Sequence, residues 1–158
     1  MRRFSRIFAW TTLFFVAGAV LFFTKAAALP YKVAWPVLLL SLATFLSRRR
    51  ELLPFGFAFL FSAAGDAVGA RGLFIPQMAF FALAHVAYVC WFLPRARCRL
   101  RAVSLAVTVP LLVFLFAAIV PEAPFPAERI GVAVYGLVIA AMLYSALQYD
   151  GACAAGFR

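Results

Sequence analysis

Groups that carry acid–base or metal chemistry are scarce in this sequence: 158 residues hold one histidine, three cysteines and five Asp and Glu together. The cysteines, Cys90, Cys98 and Cys153, stand far apart, with no CxxC pair and no histidine close by in sequence. That spacing argues against both a disulfide framework and a zinc site, and no metal or other cofactor is expected. Cys98, in a basic loop, is placed for S-palmitoylation, although a plain thiol is the simpler expectation. Polar surface is short as well. Only 13% of residues are charged and 67% are hydrophobic, 19 of them Phe. A soluble domain of this length cannot hide that much apolar surface, because much of it stays exposed on folding and there are too few polar residues to cover it. With a mean hydropathy of +1.02, the natural solvent of the chain is lipid.

The formal net charge is +10, but the cations lie in short clusters between apolar runs. No polar helix or strand presents them to a duplex, so nucleic acid is not an expected partner and membrane topology explains them better. Arg2, Arg3 and Arg6, then Arg48 to Arg50, then Arg95, Arg97, Arg99 and Arg101 fall on one side of successive apolar segments, whereas Lys25, Lys32, Arg71 and Arg129 fall on the other. By the positive-inside rule the N-terminus is cytoplasmic. The expected location is a bacterial inner membrane. The start of the chain also resembles a signal peptide, with Ala26-Ala27-Ala28 as an A-x-A site, but its apolar run exceeds the usual h-region.

Apolar periodicity and breakers place helices at approximately 7–24, 33–47, 52–68, 73–93, 102–120 and 130–149. The fold class is therefore all-α, a polytopic membrane bundle of about six transmembrane helices. Helix 2 is short or tilted, and a kink is expected in helix 5 at Pro110. PEAPFPAER reads as a loop. With no internal repeat or low-complexity linker, one membrane domain over 1–158 is the simplest organisation.

Within these segments Asp66 and His85 stand out, since an ionisable group in a bilayer-length apolar run is costly and usually faces protein or water. Ser62 lies one turn before Asp66 on the same face, within reach of a hydroxyl-to-carboxyl hydrogen bond. On helix 4, Met78, Phe81, His85, Tyr88 and Phe92 recur at helical spacing. If that stripe faces helix 3, it lines a cleft with an acid, an imidazole and a phenol among apolar walls, suited to an amphiphile. The competing readings are plain ones: Asp66 as a wetted carboxylate paired with Arg71 near a turn, and His85 as a neutral core histidine. Tyr88, Tyr135 and Met142 taken singly are more often packing residues.

FSAAGDAVG followed by F-x-x-x-H-x-x-Y, and Tyr135 with Met142 in VYGLVIAAM, resembles the YhhN family of lysoplasmalogenases over nearly the whole chain up to Gln148. The resemblance implies hydrolysis of the vinyl-ether bond of a lysoplasmalogen or a related ether lipid, releasing a fatty aldehyde and a glycerophospho-alcohol. It carries Gly65 and Asp66 onto the family's glycine-aspartate pair, His85 and Tyr88 onto its histidine and tyrosine, and Tyr135 and Met142 onto its helix 6 positions. Asp66 and His85 are the expected catalytic pair. Ser62, Gly65, Arg71, Tyr88, Tyr135 and Met142 would contact substrate, Arg71 through the phosphate head. The family resembles eight-helix proteins whose last two helices bear a Gly-Ala…Phe…Ser-Asp motif. This sequence stops before that motif, and Asp150 does not match it, so a portion lacking the second carboxylate is expected. A second class of function is a small proton-coupled transporter or a non-catalytic lipid-binding protein, in which the same acid and imidazole serve without bond cleavage.

Overall fold

The computed structural model describes residues 2–23, 32–96 and 101–149, without the side chains of 2–8, 11, 21 and 22. Arg97, Arg99, Cys98, Asp150, Cys153 and the Ala26–Ala28 segment lie outside the described residues, as do the side chains of Arg2, Arg3 and Arg6. Six α-helices and no strand are found among the described residues: α1 (Arg2–Phe23), α2 (Trp35–Leu46), α3 (Leu53–Gly69), α4 (Phe74–Phe92), α5 (Arg101–Phe114) and α6 (Pro126–Leu147). The all-α membrane class read from the sequence is therefore found. Among the described residues four spans are long and apolar enough to cross a bilayer: Arg50–Gly69, Phe74–Arg95, Arg101–Glu122 and Pro126–Leu147. The α2 helix, with 12 residues, reaches only about 18 Å at 1.5 Å per residue, short of a ~30 Å hydrocarbon core.

Proline sets several of the starts. Pro36, Pro54 and Pro126 occupy the first turns of α2, α3 and α6, where a missing N–H leaves no helical bond unmade. For this reason α6 begins at Pro126 rather than near Ile130, and part of PEAPFPAER is the first turn of a helix. Between α3 and α4 the chain reverses at Gly72, whose φ of +74° is left-handed and favours a residue without a Cβ. The helical path also runs through Pro110. The departure from α geometry falls later, in a π segment at Leu115–Ile119, where one extra residue per turn redirects the side chains.

Contacts cluster into two compact units, Met1–Ala84 and His85–Arg158. In the first, α1 packs on α2 and α2 on α3. Gly18 allows the backbone of Pro36 to approach so closely that an added Cβ would lie 2.6 Å from its Cα. The Ser41 hydroxyl donates to the Gly56 carbonyl at 2.9 Å, joining α2 to α3, and Gly56 itself leaves room for the ring of Phe45. In the second unit α5 packs on α6, and Gly136 admits the Leu115 side chain.

The pattern of burial is inverted relative to a soluble protein. The largest fully buried side chains are Ser41, Ser104 and Ser145, while Leu, Val, Ile and Phe fill the exposed faces of α5 and α6. Small and hydroxyl residues inside, with large apolar residues outside, suit helices that pack by close backbone approach and meet hydrocarbon on their outer faces.

Candidate functional site

Asp66 sits in the last turn of α3, in the first unit, and is half-buried. Its backbone carbonyl accepts the N–H of Ala70 and so helps to end the helix. The residue before it, Gly65, is buried, and an added Cβ would lie 3.2 Å from the ring of Phe81 on α4. One turn on, the Gln77 side chain occupies the space a Cβ at Gly69 would need. Glycines four apart thus make room on one face of α3 for Phe81 and Gln77 of α4. At about 100° per residue, Ser62, two turns before Gly69, falls on that face, and Asp66 lies to its side. No hydrogen bond joins the Ser62 hydroxyl to the Asp66 carboxyl among the described residues. Arg71 is exposed in the turn after α3.

The other side of α3 faces α2 across a cavity of about 390 Å³, lined by Trp35 and Leu38 of α2 and by Leu60, Ala63, Ala64 and Ala67 of α3 among others. Its wall is apolar throughout. The space exists because three of the α3 side chains are methyl groups.

In the second unit, His85 and Tyr88 of α4 and Tyr135 of α6 are brought together. The imidazole meets the Tyr88 ring edge to face at 6.2 Å between centroids, and the Tyr135 ring at 5.6 Å, each at an interplanar angle of 80°. Edge-to-face contacts between rings place the positive edge of one on the negative face of another. The first pair follows from i, i+3 spacing on one helix; the second is tertiary. Met142, half-buried, lies two turns beyond Tyr135 on the same side of α6, and its carbonyl accepts the Ser145 hydroxyl at 2.9 Å.

Several polar features were missed by the sequence reading. The hydroxyls of Ser104 and Thr108 on α5 are buried and have no hydrogen-bond partner among the described residues. Their i, i+4 spacing in an apolar helix was the available signal. Ser41 was overlooked for a different reason, since its acceptor, a backbone carbonyl fifteen residues away, leaves no mark in a side-chain pattern. No group of three or more His, Cys, Asp and Glu that could hold a metal occurs among the described residues.

Membrane-length helices with small residues inside, an isolated acid near one helix end and an imidazole set between two phenols define a polytopic helical membrane protein with ionisable groups in its spans. The chain belongs to the YhhN family, whose model matches residues 27–157. No curated protein and no solved structure matches it.

Proposed function

We propose that this protein is a lysoplasmalogenase-like hydrolase, cleaving the vinyl-ether bond of a lysoplasmalogen or a related ether lipid. The observation that carries the reading is the packing of His85 against both Tyr88 and Tyr135, because it joins three of the residues that the motifs single out, drawn from two helices. Family membership supports it. So does the position of Asp66, the only acid among the described residues of α3, α4 and α5.

The chemistry asks for few groups. A neutral carboxyl at Asp66 delivers its proton to the outer vinyl carbon, leaving an oxocarbenium ion whose charge the new carboxylate offsets. Water then adds to the cationic carbon and gives up a proton to that carboxylate. The hemiacetal collapses to an aldehyde and a free glycerol hydroxyl. The sum is one ether plus one water, with no oxidant or metal in the balance. In the second unit Tyr88 and Tyr135 orient the His85 imidazole, and in the first Gly65 and Ser62 shape the surroundings of Asp66.

Incubating the purified protein with a lysoplasmalogen tests this directly. Fatty aldehyde should form with the native chain and vanish with Asp66→Asn. Absence of aldehyde from a folded native protein refutes the hydrolase reading, and uptake of protons or lipid into liposomes in its place would establish the transporter class.

A further inference from the structure

We infer that the turn joining α2 to α3 binds a diacyl phospholipid with an anionic head, its phosphate taken by Arg48, Arg49 and Arg50 and its chains laid along exposed faces of the two helices. The site lies wholly in the first unit, at the end of α3 remote from Asp66, so it stands independently of the hydrolase reading.

The turn has an excess of positive charge. Residues 48–51 hold three guanidiniums and one carboxylate, that of Glu51, for a net charge of +2. Arg48 and Arg50 are exposed and Arg49 is half-buried. None of the three guanidiniums has an ion-pair or hydrogen-bond partner among the described residues. Basic residues beside a membrane helix attract anionic head groups, and the planar donors of arginine match a phosphate bidentately.

The backbone holds these cations in one place. Arg48 follows the C-cap Ser47 with a φ of +52°, a left-handed position where glycine or asparagine is the ordinary occupant because a larger side chain crowds the carbonyl. A cation stands there against the preference of the backbone. The Ser47 hydroxyl donates to the Thr44 carbonyl at 2.6 Å and accepts the Arg49 N–H at 3.4 Å, so the turn is tied to the end of α2. Its guanidiniums are presented from a bonded frame.

The surface next to the turn is apolar and open. Leu42 and Leu46 on α2, and Leu53 and Phe57 on α3, are exposed pairs at i, i+4 spacing. Both stripes lie on one side of the helix pair, flanking the edge-to-face contact of Phe45 with Phe57 at 5.3 Å and 77°. It is the side on which Leu38 and Leu60 line the cavity. All four residues lie within about 10 Å of the turn at the helical rise, inside the ~15 Å that one leaflet contributes to a ~30 Å core. Two apolar tracks under one cationic turn are the complement of two chains under one phosphate.

Native mass spectrometry of the full chain in a maltoside detergent tests this, with phosphatidylglycerol and phosphatidylcholine of identical chains supplied together. One phosphatidylglycerol should be retained at its intact mass, in preference to phosphatidylcholine by at least about tenfold. Arg48→Gly separates binding from folding. It relieves the left-handed backbone, so thermal stability without lipid should hold or rise, while the preference should fall about fivefold. Arg48→Gly with Arg49→Gln and Arg50→Gln should abolish it. Detergent exposes both ends of the protein, so a change in insertion direction on losing arginines does not enter the readout. Equal retention of the two lipids by the native chain, or a preference that survives the triple substitution, overturns the inference. Displacement of the lipid by glycerol 3-phosphate at equal concentration also overturns it, in favour of a soluble-phosphate site. If the triple variant does not fold, as judged by circular dichroism, Arg48→Gly decides alone.

Discussion

The imidazole of His85 and the phenol ring of Tyr135 meet edge to face, 5.6 Å between centroids, across two helices that the chain joins only after some fifty residues. The contact is both structural and chemical in its consequences. Tyr135→Phe keeps the ring and should shift stability by less than about 0.5 kcal/mol, whereas Tyr135→Ala should lower it by about 1–2 kcal/mol through loss of a half-buried aromatic pair. Unfolding in mixed micelles measures both. If the hydroxyl orients the imidazole, Tyr135→Phe should also slow aldehyde release by about tenfold, the worth of one hydrogen bond.

Asp66→Asn and His85→Gln separate proton donation from packing. Each preserves size and helix, so circular dichroism should be unchanged. Aldehyde release should fall by at least about 100-fold for Asp66→Asn, in line with loss of a general acid. Residual activity close to native would remove Asp66 from the mechanism.

Glycines that look alike in the sequence should respond differently to alanine. At Gly18 a Cβ would lie 2.6 Å from backbone of Pro36, which cannot rotate away, so Gly18→Ala should cost about 1–3 kcal/mol by overpacking. At Gly69 the obstacle is the amide end of Gln77, a flexible tip. Gly69→Ala should therefore stay within about 0.5 kcal/mol, helped by the better helix propensity of alanine. Parallel unfolding curves distinguish them.

Ser41 is 2% exposed and donates to the Gly56 carbonyl. Ser41→Ala should destabilise the first unit by about 1 kcal/mol, the net worth of a buried neutral hydrogen bond. Ser41→Val should be worse, because its added methyl groups crowd the interface between α2 and α3. An equal effect from the two would mean that the hydroxyl contributes nothing.

Topology provides the remaining prediction. We propose that the Arg48 to Arg50 turn faces the cytoplasm and the Arg71 turn the other side. Cysteines introduced singly at Arg49 and at Gly72, in a background with the native cysteines replaced, should then label from opposite faces of a sealed vesicle. Labelling of both from the same face refutes the assignment.

Much of the helical layout was legible because breakers and apolar runs act locally. The α3 and α4 limits fall close to where Pro54, Gly72 and Pro94 imply them. The α6 start was harder, since proline is compatible with both a loop and a first helical turn, and only the backbone after Phe125 shows which applies. The π segment at Leu115–Ile119 was invisible: LFAAI has no composition to mark it, and its setting includes the fit of Leu115 beside Gly136 on another helix. For the site, His85 with Tyr88 could be read from spacing on one helix, while the addition of Tyr135 could not. The cavity beside Ala63, Ala64 and Ala67 was equally hidden, because a run of alanines looks the same whether it faces an open slot or a packed neighbour.

The amino-acid sequence by itself determined that this chain is a membrane helix protein, where most of its helices lie, and that Asp66 and His85 are an acid and an imidazole within its apolar helix-length segments. Those follow from solvation and local backbone preference, which each segment carries alone. Only the tertiary structure decided which faces turn inward, that Ser41, Ser104 and Ser145 are buried while leucines and valines are exposed, and that Tyr135 meets His85. The reason is that lipid and protein interior are equally apolar, so a helix hydrophobic all round gives no amphipathic signal, and the choice of face is left to close packing between neighbours.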